Sequence, residues 1–195
     1  EIEANAFAAA KHAGVRHIVY LSNFGAGEFK GAIWQWHGAS EKRLRETGIA
    51  WTILRPARFM TDLPFPWFWD KAQRTLNEPT GGGRITFVDP RDIAAIAVKA
   101  LTTTGHEGKA YELTTTEAPT GAEIAEKISK VIGKPARFTD TAPDVARQTM
   151  LNVGIPDFIA DTVLHYFQTV GEGRWYVTST VADVLGRPPR SLDAW

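Results

Sequence analysis

The chain has 195 residues, enough to bury a substantial core within one domain. Its 44% hydrophobic and 23% charged residues lie near the average for globular proteins, and no apolar stretch approaches the ~20 residues of a membrane span. We therefore exclude intrinsic disorder and a transmembrane role. The 22 basic and 22 acidic residues cancel, so we do not expect nucleic acid as the main partner.

The chain has no cysteine, which excludes disulfides, thiol nucleophiles and cysteine-based metal sites. No metal site is predicted. Residues 1–10 carry acidic side chains and lack the apolar core of a secretion signal. The expected location is the cytoplasm.

The first half of the chain alternates helical and strand patterns. A helical stripe of apolar residues runs from Ile2 to Ala13 and is closed by Gly14. The pattern that follows predicts two short, buried strands rich in β-branched residues, at 17–21 and 49–54. A helix is predicted between them, at 33–47.

The second half begins with an aromatic, proline-interrupted stretch at 57–80, in which we predict a helix at 67–76. A strand is predicted at 84–88, followed by a helix with Asp89 as its N-cap and Pro90 at its first position. Next come a strand at 110–114 and a helix that opens with the capping box Thr120-x-x-Glu123. Beyond Pro135 we predict a short strand and several helices.

This alternation predicts an α/β fold: a parallel sheet flanked by helices, with a small, mainly helical C-terminal cap. We assign residues 1–135 to the sheet-containing part, with a substrate-loop insert at 57–80, and residues 136–195 to the cap. Ligands of open parallel sheets lie at the carboxyl ends of the strands. The segments after Leu21 and after Leu54 are therefore the predicted site.

Several segments resemble the NmrA-like branch of the atypical short-chain dehydrogenases/reductases. They occur in the order and at the spacing typical of that family: residues 13–22, 37–41, 48–56, 87–94, 108–114 and the Gly-Arg-Pro-Pro-Arg run at 186–190. The resemblance implies a Rossmann-like domain that binds NADP or NAD, with NADPH favoured.

The glycine-rich turn with which this family holds a pyrophosphate is missing from the sequence. Gly81-Gly82-Gly83 precedes a predicted strand rather than a helix, so it indicates a turn. By the resemblance, we expect the natural protein to carry about 75 to 80 further residues before Glu1, enough for three strand–helix units and a strand. That strand would cover the otherwise open edge of the strand at 17–21.

Short-chain dehydrogenases typically use a Tyr-x-x-x-Lys pair on a helix, and the corresponding positions here are His37 and Glu41. Residues i and i+4 share a helix face, so we name both as candidate catalytic residues, with His37 as the proton donor. A nearby carboxylate would favour the imidazolium form. The alternative is structural: Glu41 pairs with Arg45, and His37 is an ordinary, partly buried histidine.

The resemblance also implies contacts at the strand ends. Ser22 is a candidate catalytic residue that would hydrogen-bond substrate or cofactor, although its hydroxyl could equally satisfy loop backbone groups. The stretch Ser22, Asn23 and Phe24 is expected to lie beside the nicotinamide. A second cofactor-binding stretch is Arg55, Pro56, Ala57 and Phe59, although Arg55 could instead meet an acid such as Asp92.

The aromatic residues suggest a substrate pocket. We name Trp34, Phe65 and Trp67 as candidate walls for a flat acceptor. Phe65 and Trp67 come soon after a strand that ends at the predicted site, where a flexible lid is expected. The alternative is that they pack in the core, as aromatic residues usually do.

The function expected from the resemblance is an NAD(P)H-dependent reductase of a small aromatic or quinone-like molecule. The alternative is a dinucleotide-binding sensor or regulator without turnover, since the Tyr and Lys are both replaced. An isomerase or epimerase acting on a nucleotide-linked substrate is a weaker option, because such enzymes need that pair. Whether the protein is a homodimer is open.

Overall fold

The computed structural model describes residues 2–63 and 67–194. Within them the α-helices are α1 (Ile2–His12), α2 (Ala32–Glu46), α3 (Pro90–Thr102), α4 (Gly121–Ile132), α5 (Pro143–Asn152), α6 (Asp157–Gly171) and α7 (Thr180–Leu185). The strands are β1 (His17–Leu21), β2 (Ala50–Pro56), β3 (Arg58–Phe59), β4 (Trp69–Asp70), β5 (Thr75–Glu78), β6 (Phe87–Val88), β7 (Lys109–Leu113) and β8 (Arg137–Asp140). Short 3₁₀ turns occupy Met60–Asp62 and Leu192–Ala194.

The chain divides into two compact units, each built from separate stretches of sequence. Unit 1 comprises Glu1–Ala57, Val88–Thr114 and Thr178–Pro189, and unit 2 comprises Arg58–Phe87, Thr115–Val177 and Arg190–Trp195. This differs from the division at residue 135 that the sequence suggested, because α4 belongs with the later helices of unit 2 and α7 belongs with unit 1.

Unit 1 contains the predicted parallel sheet, with strand order β1-β2-β7 and β1 at one edge. Side chains alternate along the strands, so Ile18 and Tyr20 of β1 lie on the same face as Ile53 of β2. On that face they pack against Phe7 of α1 and Leu44 of α2. The apolar strand runs are therefore explained by a sheet that helices cover.

Local capping signals place the helix starts where the sequence predicted them. The Asp89 carboxylate accepts a hydrogen bond from the backbone N–H of Arg91, with Pro90 in the first turn of α3. Thr120 and Glu123 form the reciprocal capping box of α4. Both interactions satisfy backbone donors that the first helical turn leaves unpaired.

Unit 2 holds α4, α5 and α6 with a small sheet of strand order β4-β5-β8. The helix predicted at 67–76 is wrong. The Asp70 carboxylate accepts hydrogen bonds from the backbone N–H groups of Ala72 and Gln73, and Arg74 adopts a positive φ of 51°, so the chain turns there. It then continues as β5, which pairs with β8.

The strand predicted at 84–88 is shorter than expected. Only Phe87–Val88 forms a strand, while Arg84 makes an isolated bridge to Thr120. In the described part of the chain, no helix has both the length and the apolar character needed to cross a lipid bilayer.

Candidate active site

The parallel pairing of β1 and β2 continues beyond the end of β1. The backbone N–H of Ser22 donates to the carbonyl oxygen of Leu54 at 2.7 Å, and that of Phe24 donates to the carbonyl oxygen of Pro56 at 3.0 Å. The segment from Ser22 to Phe24 therefore lies alongside Arg55 and Pro56. The sequence assigned both stretches to the predicted ligand site, and the structure brings them together.

A buried carboxylate ties this place to α2. Glu41, whose side chain is only 1% exposed, receives four hydrogen bonds. Its Oε1 accepts from Ser22 Oγ at 2.6 Å and from Arg55 Nε at 2.8 Å. Its Oε2 accepts from Arg55 Nη2 at 2.7 Å and from Arg45 Nη2 at 2.9 Å. This carboxylate thus connects α2 with the ends of both strands.

The charge of Glu41 is stabilised by these donors. Burial alone would raise the pKa of this carboxyl, but hydrogen bonds from Arg55, Ser22 and Arg45 outweigh burial and hold the pKa below its usual range. Glu41 raises the pKa of Arg55 in turn. Glu41 is accordingly an ionised acceptor at neutral pH.

This bonding differs from the catalytic roles expected of Ser22 and Glu41. The Glu41 carboxylate uses all four of its acceptor directions, and a charged carboxylate can only accept, so the Ser22 hydroxyl must direct its proton to Glu41. The structure shows the two side chains bonded to each other, and their part in catalysis stays a prediction. The contact of Glu41 with Arg45 is present, and Arg55 is its second partner.

Arg55 does not meet Asp92. Asp92 is fully buried and pairs instead with Arg187, at 2.6 Å, in the Gly-Arg-Pro-Pro-Arg run near the chain's end. Arg55 lies near two further carboxylates, with its Nη1 at 3.9 Å from Glu28 and at 3.8 Å from Glu112. Acidic groups therefore outnumber basic ones around this guanidinium.

His37 lies one turn before Glu41 on α2 and is half-buried. Its Nδ1 is 3.2 Å from the hydroxyl oxygen of Tyr20 on β1. Burial lowers the pKa of His37, and the negative charges of Glu3 and Glu41 offset this only in part. Glu41 favours the imidazolium form as predicted, but desolvation outweighs the attraction of the carboxylates, so the neutral imidazole prevails at neutral pH.

A close backbone contact positions α2 against the loop that precedes it. A Cβ atom at Gly38 would stand 2.7 Å from Cα of Gly27, closer than side chains approach. Any larger residue at 38 would push His37 and Glu41 away from the strand ends. Glycine between the two candidate residues is thus explained by packing.

Trp34 lies in the core rather than at a ligand-facing surface. It is 1% exposed, and its indole N–H donates to the carbonyl oxygen of Phe24 at 3.0 Å. Trp34 thereby fixes the loop after β1, which differs from the substrate contact predicted for it. Phe24 is equally buried, at 1%.

The remaining candidate residues belong to different places. Pro56 and Ala57 are buried at the end of β2, where the Ala57 N–H donates to the carbonyl oxygen of Leu113 at 3.0 Å. Phe59 and Trp67 are half-buried in unit 2. Phe65, the third predicted substrate contact, lies outside the described residues.

Two polar groups of this region are open to a ligand. Within residues 2–63 and 67–194, neither the half-buried Asn23 carboxamide nor His37 Nε2 has a hydrogen-bond partner. Sequence reasoning named both residues but missed Tyr20. The signal was the period of two along β1, which puts Tyr20 on the face that α1 and α2 cover.

Comparison with known proteins identifies the family of this chain. The model of the NmrA-like family matches residues 1–192, so the chain belongs to the NmrA-like family. It is 36% identical to the NAD(P)H azoreductase of Xenophilus azovorans over 197 aligned positions, covering 98% of this chain and 68% of that protein.

Solved structures are similar over the same extent. The NADPH-dependent quinone oxidoreductase QOR2 of Escherichia coli superposes with a TM-score of 0.89 at 27% identity, covering 98% of this chain and 70% of that one. The triphenylmethane reductase of Citrobacter sp., solved in complex with NADP(H), gives 0.85 at 26% identity, covering 98% and 68%. The chain thus spans about two thirds of the length of these relatives, with the Rossmann-like fold that the sequence predicted.

Proposed function

We propose that the natural protein is an NAD(P)H-dependent reductase of a small aromatic or quinone-like acceptor. Sequence similarity supports the chemistry, because relatives at 26–36% identity that cover 98% of this chain are reductases named for azo, quinone and triphenylmethane compounds. The observation that carries the proposal at the level of residues is His37, whose Nε2 has no hydrogen-bond partner among the described residues and which lies on the helix whose next turn is fixed to the strand ends.

The residues at the strand ends fit the nicotinamide end of the cofactor. A nicotinamide carries a carboxamide, which needs neutral donors and acceptors, and the open carboxamide of Asn23 offers both. The ionic groups of Glu41 and Arg55 are bonded to each other and do not compete for the ligand. The segments from Ser22 to Phe24 and from Arg55 to Ala57 are the proposed lining, with Phe59 following them in sequence.

When bound, the reduced nicotinamide supplies a hydride. Negative charge then develops on an oxygen or nitrogen of the acceptor, and we assign to His37 the donation of a hydrogen bond to that atom. A neutral imidazole can do this from its protonated nitrogen, and a fixed donor at a developing charge contributes strongly to rate. The final proton comes from water, because a neutral imidazole is a poor acid.

The network around Glu41 serves this reaction by geometry. Glu41 fixes α2 to Ser22 and Arg55, and the contact of Gly38 with Gly27 fixes the turn of helix between His37 and Glu41. A donor must be held within a fraction of an ångström to be effective. These residues are therefore proposed as positioning residues.

The test is NADPH and NADH oxidation by the full-length natural protein with a panel of quinones and azo dyes. We expect turnover with at least one acceptor and a fall in kcat of ~10²–10³-fold in His37→Ala, the usual loss for one removed donor of this kind. His37→Gln should recover part of the rate, because the glutamine amide also donates. The exposed His12 provides the matched control, His12→Ala, which should keep the wild-type rate.

Two results would count against the proposal. Full turnover in His37→Ala would remove His37 from the mechanism. Tight dinucleotide binding without oxidation by any acceptor would instead favour a sensor or regulator without turnover.

Three narrower statements stay predictions. Phe65 and Trp67 are proposed to contact the substrate, which Trp67→Ala would reveal as weaker acceptor binding at unchanged dinucleotide affinity. A cytoplasmic location is checked by cell fractionation. A homodimer is checked by the mass of the protein in solution.

A further inference from the structure

Tyr20 is the residue in direct contact with His37 to which neither the sequence nor the comparisons assign a role. Its hydroxyl lies 3.2 Å from Nδ1, and its ring stands edge-on to Phe7 with centroids 5.6 Å apart and planes at 79°. The phenol is therefore held by packing from α1 while it contacts the imidazole on α2. A side chain fixed on both sides can set the state of its neighbour.

We infer that the Tyr20 hydroxyl donates a hydrogen bond to Nδ1 of His37 and so fixes the imidazole as the tautomer that carries its proton on Nε2. Tyr20 is then a positioning residue for the reductase chemistry, and in that respect the inference rests on the proposed function. The nitrogen left without a partner becomes a hydrogen-bond donor rather than an acceptor.

The direction of this bond follows from the surroundings. Burial raises the pKa of Tyr20, so the phenol keeps its proton at neutral pH. A phenol O–H is a stronger hydrogen-bond donor than an imidazole N–H, and the bare nitrogen of a neutral imidazole is a stronger acceptor than a phenol oxygen. The Tyr20 hydroxyl, 3.2 Å from Nδ1 and with its ring held against Phe7, is therefore the donor of this contact.

The charged groups that face the pair leave the imidazole neutral. Glu3 of α1 and Glu41 of α2 act on both His37 and Tyr20, and each would favour the imidazolium form. Desolvation prevails, so one ring nitrogen stays a bare acceptor for the phenol. No charge forms on Tyr20, since a phenolate beside two carboxylates would be strongly disfavoured.

The experiment is nitrogen NMR of His37 in the full-length natural protein, compared with Tyr20→Phe. In the wild type we expect a protonated Nε2 and a bare Nδ1 at neutral pH. The bond from phenol to Nδ1 exists only in the neutral imidazole and hence favours it, so its removal should raise the pKa of His37. A lowered or unchanged pKa would overturn the inference, because Nδ1 would then be the donor or the bond would be absent.

Kinetics provide the second readout. Tyr20→Phe should lower kcat by roughly 5-fold, the worth of one hydrogen bond of ~1 kcal/mol, at unchanged KM for the dinucleotide. The variant keeps the ring that packs on Phe7, so it should fold. If the NMR result holds while no acceptor is reduced, the proposed function fails and the assignment of the tautomer stands.

The chain contains a matched control. Tyr111 contacts His106 through its hydroxyl, at 2.8 Å from Nδ1, while Nε2 of His106 lies 3.0 Å from Thr103 Oγ1. Both nitrogens of that imidazole are engaged, so it has none to offer a ligand. Tyr111→Phe should leave the tautomer and pKa of His37 and the turnover rate at wild-type values; a change equal to that in Tyr20→Phe would contradict a specific role for Tyr20.

Discussion

Each unit contains a buried arginine–glutamate pair, and the two arginines, Arg55 and Arg58, stand three positions apart in the chain. In unit 2, Arg58 and Glu78 are 2% and 0% exposed, and the guanidinium carbon lies 5.5 Å from the ring centroid of Phe87. In unit 1, Glu41 is as deeply buried, but Arg55 is 15% exposed and has other carboxylates nearby.

The difference shows two uses of the same ion pair. Arg58 and Glu78 depend on each other in an apolar interior, where an unpaired charge is very unfavourable. Glu41 instead shares its charge among Ser22, Arg45 and Arg55, so that loss of one partner leaves others. The first pair stabilises the interior of unit 2, and the second fixes α2 to the strand ends of unit 1.

The largest effect on stability is expected from breaking the buried ion pair of Arg58 and Glu78. Glu78→Gln removes the carboxylate that is hydrogen-bonded to the buried Arg58 and leaves only the more distant charge of Asp62, so it should lower the free energy of unfolding by ~3–5 kcal/mol. Denaturant unfolding of the full-length protein measures this. A loss below that of Glu41→Gln would show that the ranking by exposure is wrong.

A smaller effect on stability is expected at Glu41, whose carboxylate has several donors. Glu41→Gln should lower the unfolding free energy by ~2–3 kcal/mol at neutral pH, because hydrogen bonds to a charged group are lost while Arg55 keeps Glu28 and Glu112 nearby.

The pH dependence of that loss provides a check. The pKa of Glu41 in the fold lies below its ordinary value of 4.5, so its stabilisation is complete above that pH and disappears as the pH falls through the folded value. Wild type and Glu41→Gln should therefore converge in acid. A difference that stays constant down to strong acid would contradict the pairing.

The smallest effect on stability is expected at Arg45, the most exposed of the three side chains that donate to Glu41. Arg45 is 39% exposed and contacts Glu41 at i+4, so Arg45→Gln should change the unfolding free energy by only ~0.3–0.5 kcal/mol. Thermal melts at low and high salt measure this, and the difference should shrink in salt. A loss as large as that of Glu41→Gln would mean that Arg45, not Arg55, holds the carboxylate.

Features set by neighbouring residues could be predicted from the sequence. The cap at Asp89, the capping box at Thr120 and the apolar strands of unit 1 each depend on a few adjacent positions. The contact between Glu41 and Arg45 is of the same kind, at one helical turn. The resemblance to the NmrA-like family allowed the Rossmann-like fold as a whole to be predicted as well.

Features set by distant residues could not be predicted in this way. The stretch 67–76 has apolar residues suited to a helix, but β5 follows the turn at Asp70 and pairs with β8, about sixty positions further along. Asp92 was only one example of an acid that Arg55 could meet, because on sequence alone any acid near a strand end is an equal candidate and nothing singles out Glu41. Tyr20 was missed for the same reason, since only the packed sheet brings its hydroxyl to His37.

The interleaving of the two units affects how the chain can fold as it is synthesised. The sheet of unit 1 needs β7, which follows residues 58–87 of unit 2, and Asp92 needs Arg187 near the end of the chain. Contacts between distant positions slow folding and leave apolar strands unpaired in the meantime. A nascent chain therefore exposes the edge of β2 until β7 emerges from the ribosome, and the ion pair of Asp92 with Arg187 forms only after Arg187 has been synthesised.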